Sequence, residues 1–261
     1  MSVRYYDIGL NLFSKQFRNP EEIIKKAKAN QVACILTGTS RSANKQITEF
    51  VSSHDTVYGT AGIHPHNADI VTREDFELIE TIIVSNPKIV AVGECGLDYD
   101  RMYSTKDNQI LCLKNHINLA VKLGKPLFLH ERAASDDFKK IMKEHEDLCE
   151  KSVVHCFTGN INVLDDYLNM GFSIGITGWI CDDIRGKELR EAVKIIPLNR
   201  VLIETDAPYL TPKNVRGLSR VNVPENIIYV ARELAKHMNV SEEELIEHAK
   251  ENTERLFLSE N

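Results

Sequence analysis

The sequence predicts an α/β protein of the TIM (β/α)8 barrel class, and three observations carry that prediction. Short apolar runs alternate with amphipathic segments from one end of the chain to the other, eight times. Val90-Ala91-Val92, Leu127-Phe128-Leu129 and Val201-Leu202-Ile203 are continuously apolar, as parallel strands covered on both faces must be. Most of the runs also end in residues that hold metals or move protons: Asp7-Ile8-Gly9-Leu10-Asn11, His64-Pro65-His66, Glu94-Cys95-Gly96-Leu97-Asp98, His130-Glu131-Arg132, His155-Cys156-Phe157 and Glu204-Thr205-Asp206. In such a barrel the C-terminal strand ends share one mouth, so residues far apart in sequence collect in one pocket.

Strands are read over 4–12, 33–38, 57–63, 89–97, 126–130, 152–157, 172–177 and 201–205. Asn19-Pro20-Glu21-Glu22 opens the first helix, with Asn as cap and Pro at the first helical position. Helical patterns follow at 42–53 and 74–84. Ser104 with Asp107 reads as a capping box for the next helix. Its apolar residues Ile110, Leu113, Ile117, Ala120 and Val121 recur at three-to-four spacing, and Gly124 with Pro126 ends it. Later helices are read over 136–145, 163–170, 187–196, 224–238 and 241–257, the last with a Ser241–Glu244 capping box. The runner-up, an open doubly wound sheet, requires a Gly-rich phosphate loop after the first strand. Gly9-Leu10-Asn11-Leu12 is not one.

At 261 residues the chain has the length of one barrel, and one domain over 1–261 is expected. The first residues carry no basic and apolar leader pattern, and no run is long enough to span a bilayer. A cytoplasmic protein, or a nuclear one in a eukaryote, with no membrane contact is expected. Six cysteines without a Cys-x-x-Cys argue against a disulfide framework or a structural zinc site. The formal charge of −6 disfavours a basic nucleic-acid surface, but not a site that holds phosphate through bound cations.

Glu94, His130, His155 and Asp206 are read as metal ligands. Two imidazoles and two carboxylates suit a borderline or hard divalent ion with positions left for water and substrate. Glu94 can bridge two ions, and two cations could clamp a phosphoryl group. His64 and His66 have two readings: they hold the scissile phosphate, or donate a proton to the leaving group. Asp98 and Arg101 either fix their loop or contact substrate. Arg132 either grips a phosphate bidentately or makes a surface salt bridge. Tyr99, Tyr103 and Trp179 are candidates for stacking on bases. His54, His116, His145, His237 and His248 lie away from strand ends and are read as solvated.

Taken together, Gly62-Ile63-His64-Pro65-His66, Gly93-Glu94-Cys95-Gly96-Leu97-Asp98-Tyr99, His130, His155-Cys156-Phe157-Thr158-Gly159, Glu204-Thr205-Asp206-Ala207-Pro208-Tyr209-Leu210 and Arg220-Val221-Asn222-Val223-Pro224 resemble the TatD-type metal-dependent deoxyribonucleases of the amidohydrolase superfamily. The resemblance implies a TIM barrel and metal-dependent phosphodiester hydrolysis. It implies ligand roles for Glu94, His130, His155 and Asp206, a pocket position for His64 and His66, and a catalytic or ligand-orienting role for Glu204. It places Asn11, Asp98, Arg132 and Arg220 at the substrate. Many relatives begin with Asp-x-His-x-His; this chain has Gly9 and Asn11 at those histidines. That replacement looks like the bacterial TatD subgroup, associated with 3′→5′ exonuclease action on single-stranded DNA and RNA with magnesium. Fewer imidazoles favour Mg2+ over Zn2+ or Mn2+. Single-stranded DNA, with RNA as a further substrate, is the expected partner; a monomer without an obligate protein partner is expected. By analogy the process is DNA repair or apoptotic DNA degradation. The alternative is a small-molecule amidohydrolase of the lactonase, deaminase or phosphotriesterase type. The missing His-x-His, and the lack of a lysine at a ligand-bearing strand end, count against it. A binding protein on the same scaffold is the third reading, and the intact ligand set counts against that.

Overall fold

The computed structural model describes residues 2–259. Eight parallel strands pair in sequence order: β1 (Tyr5–Leu10), β2 (Val32–Leu36), β3 (Val57–Ala61), β4 (Ile89–Asp98), β5 (Leu127–Arg132), β6 (Val153–Val154), β7 (Ser173–Ile176) and β8 (Val201–Ile203). A parallel bridge between Leu10 and Ala207 brings the last strand back to the first. The sheet is therefore a nearly closed barrel, and the open doubly wound alternative is excluded.

Helices α1 (Pro20–Ala29), α2 (Arg41–Val51), α3 (Arg73–Ser85) and α4 (Lys106–Leu123) follow the first four strands. After β5 come α5 (Ser135–Met142) and the short α6 (Glu146–Cys149), then α7 (Ile161–Asn169) after β6 and α8 (Lys187–Ala192) after β7. Two helices, α9 (Ile227–Met238) and α10 (Glu242–Thr253), follow β8. Among the described residues no helix is long and apolar enough to cross a membrane.

The local signals act largely as read. Asn19 Oδ1 accepts the Glu22 N–H at 3.2 Å with Pro20 at the first helical position, and Ser241 Oγ accepts the Glu244 N–H at 3.1 Å. Gly124 closes α4 in the left-handed region at φ 64°. The Ser104–Asp107 box does not form. Thr105 is the cap residue of α4, and Ser104 is buried, donating to the His66 carbonyl at 3.0 Å and accepting the Asp69 N–H at 3.1 Å. A loop tie has taken the side chain that the cap would have used.

Strand period two carries the barrel interior up into its mouth. Phe128, Val153 and Leu202 belong to the interior cluster with Tyr6, Ile8, Ala33 and Ile35. Two residues further on stand His130, His155 and Glu204. The bottom of the same cluster is filled by Leu256 and Phe257, from a π-helical turn over Glu254–Leu258 that follows α10.

Strands β6 and β8 are shorter than the apolar runs suggest, for one reason. Cys156 (φ 47°) and Asp206 (φ 51°) adopt left-handed backbone, which ends the extended conformation just past His155 and Glu204.

Candidate metal and catalytic site

Glu94 lies in the middle of the long strand β4 with 4% of its surface exposed. Its Oε1 is met by three imidazoles: His155 Nε2 at 2.8 Å, His130 Nδ1 at 3.1 Å and His64 Nε2 at 3.2 Å. Each histidine comes from a different strand end, β6, β5 and β3. The Glu94 backbone is fixed as well, its N–H donating to the Gly38 carbonyl at 2.7 Å.

The hydrogen bonds behind the rings set their protons. His155 faces a carboxylate at each nitrogen, Glu204 Oε2 at 3.2 Å from Nδ1 and Glu94 Oε1 at 2.8 Å from Nε2, so both nitrogens donate here. A cation at Nε2 would leave the remaining proton on Nδ1, toward Glu204. His64 is the opposite case. Its Nδ1 accepts the His66 N–H at 3.1 Å, so the neutral ring carries its proton on Nε2, toward Glu94. His130 Nε2 is buried without a hydrogen-bond partner and stands 3.5 Å from Asp98 Oδ2. His66 Nε2 lies 2.7 Å from the same oxygen.

Asp98, expected either to fix its loop or to contact substrate, is 1% exposed. Its Oδ1 accepts the Asp100 and Arg101 N–H groups at 3.0 and 2.8 Å, and its own N–H donates to Gln109 Oε1 at 2.8 Å. The loop-fixing arrangement is the one present. Arg132 meets Asp100 at 3.0 Å, which is the salt-bridge arrangement. Arg220 is exposed on the loop after β8 and makes no ion pair among the described residues. Asn11 does not face solvent alone: its Nδ2 donates to Asp206 Oδ1 at 2.8 Å.

Asp206 is partly buried and, among the described residues, makes no ion pair with the histidines. The geometry thus joins Glu94, His130 and His155, adds His64 to them, and leaves Asp206 on the β1–β8 side, held by Asn11. Glu204 is fully buried beneath the cluster. Its Oε1 accepts the Cys156 N–H at 2.5 Å, a bond the left-handed turn at Cys156 makes geometrically available.

Gly9 explains where Glu204 fits. A Cβ built on Gly9 would lie 2.2 Å from Glu204 Oε2, and one on Gly175 would lie 2.5 Å from Oε1. Glycines on β1 and β7 therefore clear the slot that the carboxylate occupies. Asp7, one more buried acid, accepts the Thr205 N–H at 2.8 Å and the Thr205 hydroxyl at 2.5 Å. These bonds tie the β1 and β8 ends together.

The electrostatics follow from burial against charge. Burial alone would raise the Glu94 carboxyl, but His64, His155 and His130 hold it well below the usual range. Burial alone would lower His155, but flanking Glu94 and Glu204 push it well above. Burial pushes Asp206 up to about 7, His155 opposing and Glu204 and Glu94 assisting, and burial pushes Asp7 up to about 8. Burial lowers His64, against the pull of Glu94. The cage is acid-rich and draws positive charge to its centre.

These residues fit a divalent cation. His64, Glu94 and His130 offer ligand atoms within 4.8 Å of one another, His130 has an orphaned buried nitrogen, and the donors are imidazole and carboxylate.

Three features were not visible as such in the sequence. Asn44 is buried in α2 and clasps Gly62 through Nδ2 to the carbonyl (3.0 Å) and Oδ1 from the N–H (3.3 Å), just before His64. Gln109 holds Asp98. His116, read as solvated, is fully buried: Nε2 accepts the Ile63 N–H at 3.0 Å, and Nδ1 donates to the Cys112 carbonyl at 2.7 Å. Its place on the apolar stripe, three residues after Leu113 and four before Ala120, was the available signal. The other four histidines are partly exposed. Of the proposed stacking residues, Tyr103 is exposed beside His66, with ring centroids 4.7 Å apart. Tyr99 is tied to Asp137 at 2.9 Å, and Trp179 donates Nε1–H to the Arg185 carbonyl at 3.0 Å.

Comparison with known proteins agrees with this geometry. The family model described as TatD related DNase matches residues 6–258. A 3′-5′ ssDNA/RNA exonuclease TatD of Klebsiella pneumoniae is 40% identical over 234 residues, covering 88% of this chain and 89% of its own. The protein of that name from a Pantoea species is 38% identical over 257 residues, covering 97% and 98%. A crystal structure of a TatD homolog from Escherichia coli superposes with a TM-score of 0.88 at 25% identity, over 100% of both chains. A TatD family hydrolase from Entamoeba histolytica gives 0.87 at 26% identity, over 99% of both. With its barrel, its imidazole-ringed Glu94 and this match across almost its whole length, the chain belongs to the TatD related DNase family.

Proposed function

We propose that the protein is a divalent-metal-dependent nuclease that removes nucleotides from the 3′ end of single-stranded DNA and RNA. The observation that carries this reading is the Glu94 Oε1 hub, with three imidazole nitrogens at 2.8–3.2 Å. It occurs in a chain 36–40% identical to proteins named 3′-5′ ssDNA/RNA exonuclease. Glu94, His130, His155 and Asp206 would hold the metal, with Mg2+ the preferred ion because carboxylates and water would complete its shell. When bound, such an ion lowers the pKa of an attacking water and neutralises charge on the phosphoryl group.

The remaining work falls to the chain itself. Glu204 fixes the His155 proton on Nδ1 and so keeps Nε2 available. Asn11 orients Asp206. Asp98 sets the rings of His66 and His130. His64 or His66, whose ring centroids lie 4.2 Å apart, would assist the leaving 3′ oxygen, His64 by a hydrogen bond from its Nε2–H. Arg132 and Arg220 on the rim would contact flanking phosphates, Arg132 exchanging Asp100 for phosphate. The acidic overall balance suits a phosphate held by the metal rather than by a basic surface. We propose further that residues 1–261 act as one monomeric unit in the cytoplasm.

The test is an oligonucleotide labelled at either end, incubated with Mg2+ or with EDTA. Stepwise mononucleotide release from the 3′ end only with metal is expected. Glu94→Ala should stay folded and lose at least about a hundredfold in rate, since even residues that merely support a metal ligand cost 10–100-fold. Inert oligonucleotides together with turnover of esters or amides would replace this reading with the small-molecule amidohydrolase.

A further inference from the structure

A cavity of about 220 Å3 opens beside the metal side of the mouth, between the β1 loop, the β2 loop, the start of α2 and the segment after β8. It shares Asn11 with the site, and Asn11 donates to Asp206. Tyr209 lines the cavity as well, and its N–H donates to the Asp206 carbonyl at 2.9 Å. The cavity therefore begins where the reacting phosphate would sit.

Its lining has a distinct chemistry. No Lys, Arg, Asp or Glu takes part. Phe13 and Tyr209 supply aromatic surface, and Thr37, Thr39, Gln46 and three serines supply hydroxyls and an amide. Thr37 is 5% exposed, and its Oγ1 has no hydrogen-bond partner. A neutral lining gives no reason to hold a phosphate. Aromatic faces with hydroxyl and amide groups suit a base and its sugar instead. The volume is below the roughly 300–1,000 Å3 of pockets for drug-sized ligands, which leaves room for one nucleoside.

We propose that this cavity receives the terminal nucleoside of the strand, with its 5′-phosphate at the metal side and its base against Tyr209. The inference rests on the nuclease reading above and explains its mode. A cavity of about 220 Å3 has room for one nucleoside, which fits release of one nucleotide at a time.

The test uses binding of a reaction product, with no turnover required. Thymidine 5′-monophosphate and 2-deoxyribose 5-phosphate, which lacks the base, are titrated separately in Mg2+ by calorimetry. The nucleotide should bind between about fivefold and a hundredfold more tightly, the range for one base stacked on an aromatic ring. Tyr209→Ala should erase that preference and Tyr209→Phe should keep it. Equal binding of the two ligands by the parent, or a preference untouched by Tyr209→Ala, would overturn the pocket. Oligonucleotide cleavage alongside equal binding removes this inference alone. A base preference without any cleavage supports the pocket and removes the nuclease reading.

Discussion

Glu204 has no exposed surface, yet it governs how His155 is presented. The carboxylate occupies a slot cleared by glycines on two strands, so its position depends on what those strands lack. Gly9→Ala would place a methyl group 2.2 Å from Glu204 Oε2 without any demand on backbone conformation, since Gly9 is not among the positive-φ residues. The expected outcome is displacement of Glu204 and loss of the His155 tautomer. Mn2+ affinity measured by calorimetry should fall about 10–100-fold while the circular dichroism spectrum holds. Sequence reading identified Gly9 as a departure from the family pattern. That the departure is also the space for Glu204 depends on the approach of β1 to β8, which no spacing rule contains.

At the level of elements, α4 supports the β3 end through His116. Burial lowers this histidine to about 4 from 6.5, partly offset by its bond to the Cys112 carbonyl. Its folded pKa lies below the unfolded one, so the unfolded chain binds the extra proton between those values. The neutral ring's contribution is complete above about pH 6.5 and is lost as pH falls toward about 4, amounting to roughly 3 kcal/mol. Asp7 and Asp206 titrate with the opposite sign, because their folded pKa values are raised. The comparison must therefore be between the parent and His116→Gln. Urea midpoints at pH 7 and pH 4.5 should diverge less in the variant. The C-terminal turn is a second case. Phe257 is 5% exposed and lies 6.5 Å from Phe128 between ring centroids, sealing the barrel bottom. Phe257→Ala should cost about 3–5 kcal/mol of stability by urea unfolding. The sequence showed both helices, but not that one would supply a backbone acceptor and the other a plug.

For the molecule as a whole, the cage couples metal to stability. Five acids, Asp7, Glu94, Asp98, Glu204 and Asp206, lie in or beside the mouth, four of them at most 4% exposed. A cation that binds only the folded chain adds about 2.7 kcal/mol at a hundredfold excess over its Kd. For a chain of this size that is a rise of about 5–10 °C in Tm. Melting in saturating Mn2+ against EDTA should show it, and Glu94→Ala should not. Equal melting temperatures in the parent would mean that the cage holds no ion under those conditions.

Strand order, helix order and the meeting of Glu94, His130 and His155 at one place could be read from the sequence. Apolar runs, caps and strand-end polar residues are local, and a closed barrel leaves strand ends one place to meet. Tertiary structure decided the rest. It recruited His64 to the Glu94 carboxylate, buried Asp98 as a loop tie and turned Asp206 toward Asn11. It also ended β6 and β8 at two left-handed residues and left Thr37 without a partner in a neutral cavity. Each of these depends on distances between strands and on backbone turns fixed by packing, whereas composition and periodicity report only what a residue is and which face of its own element it shares.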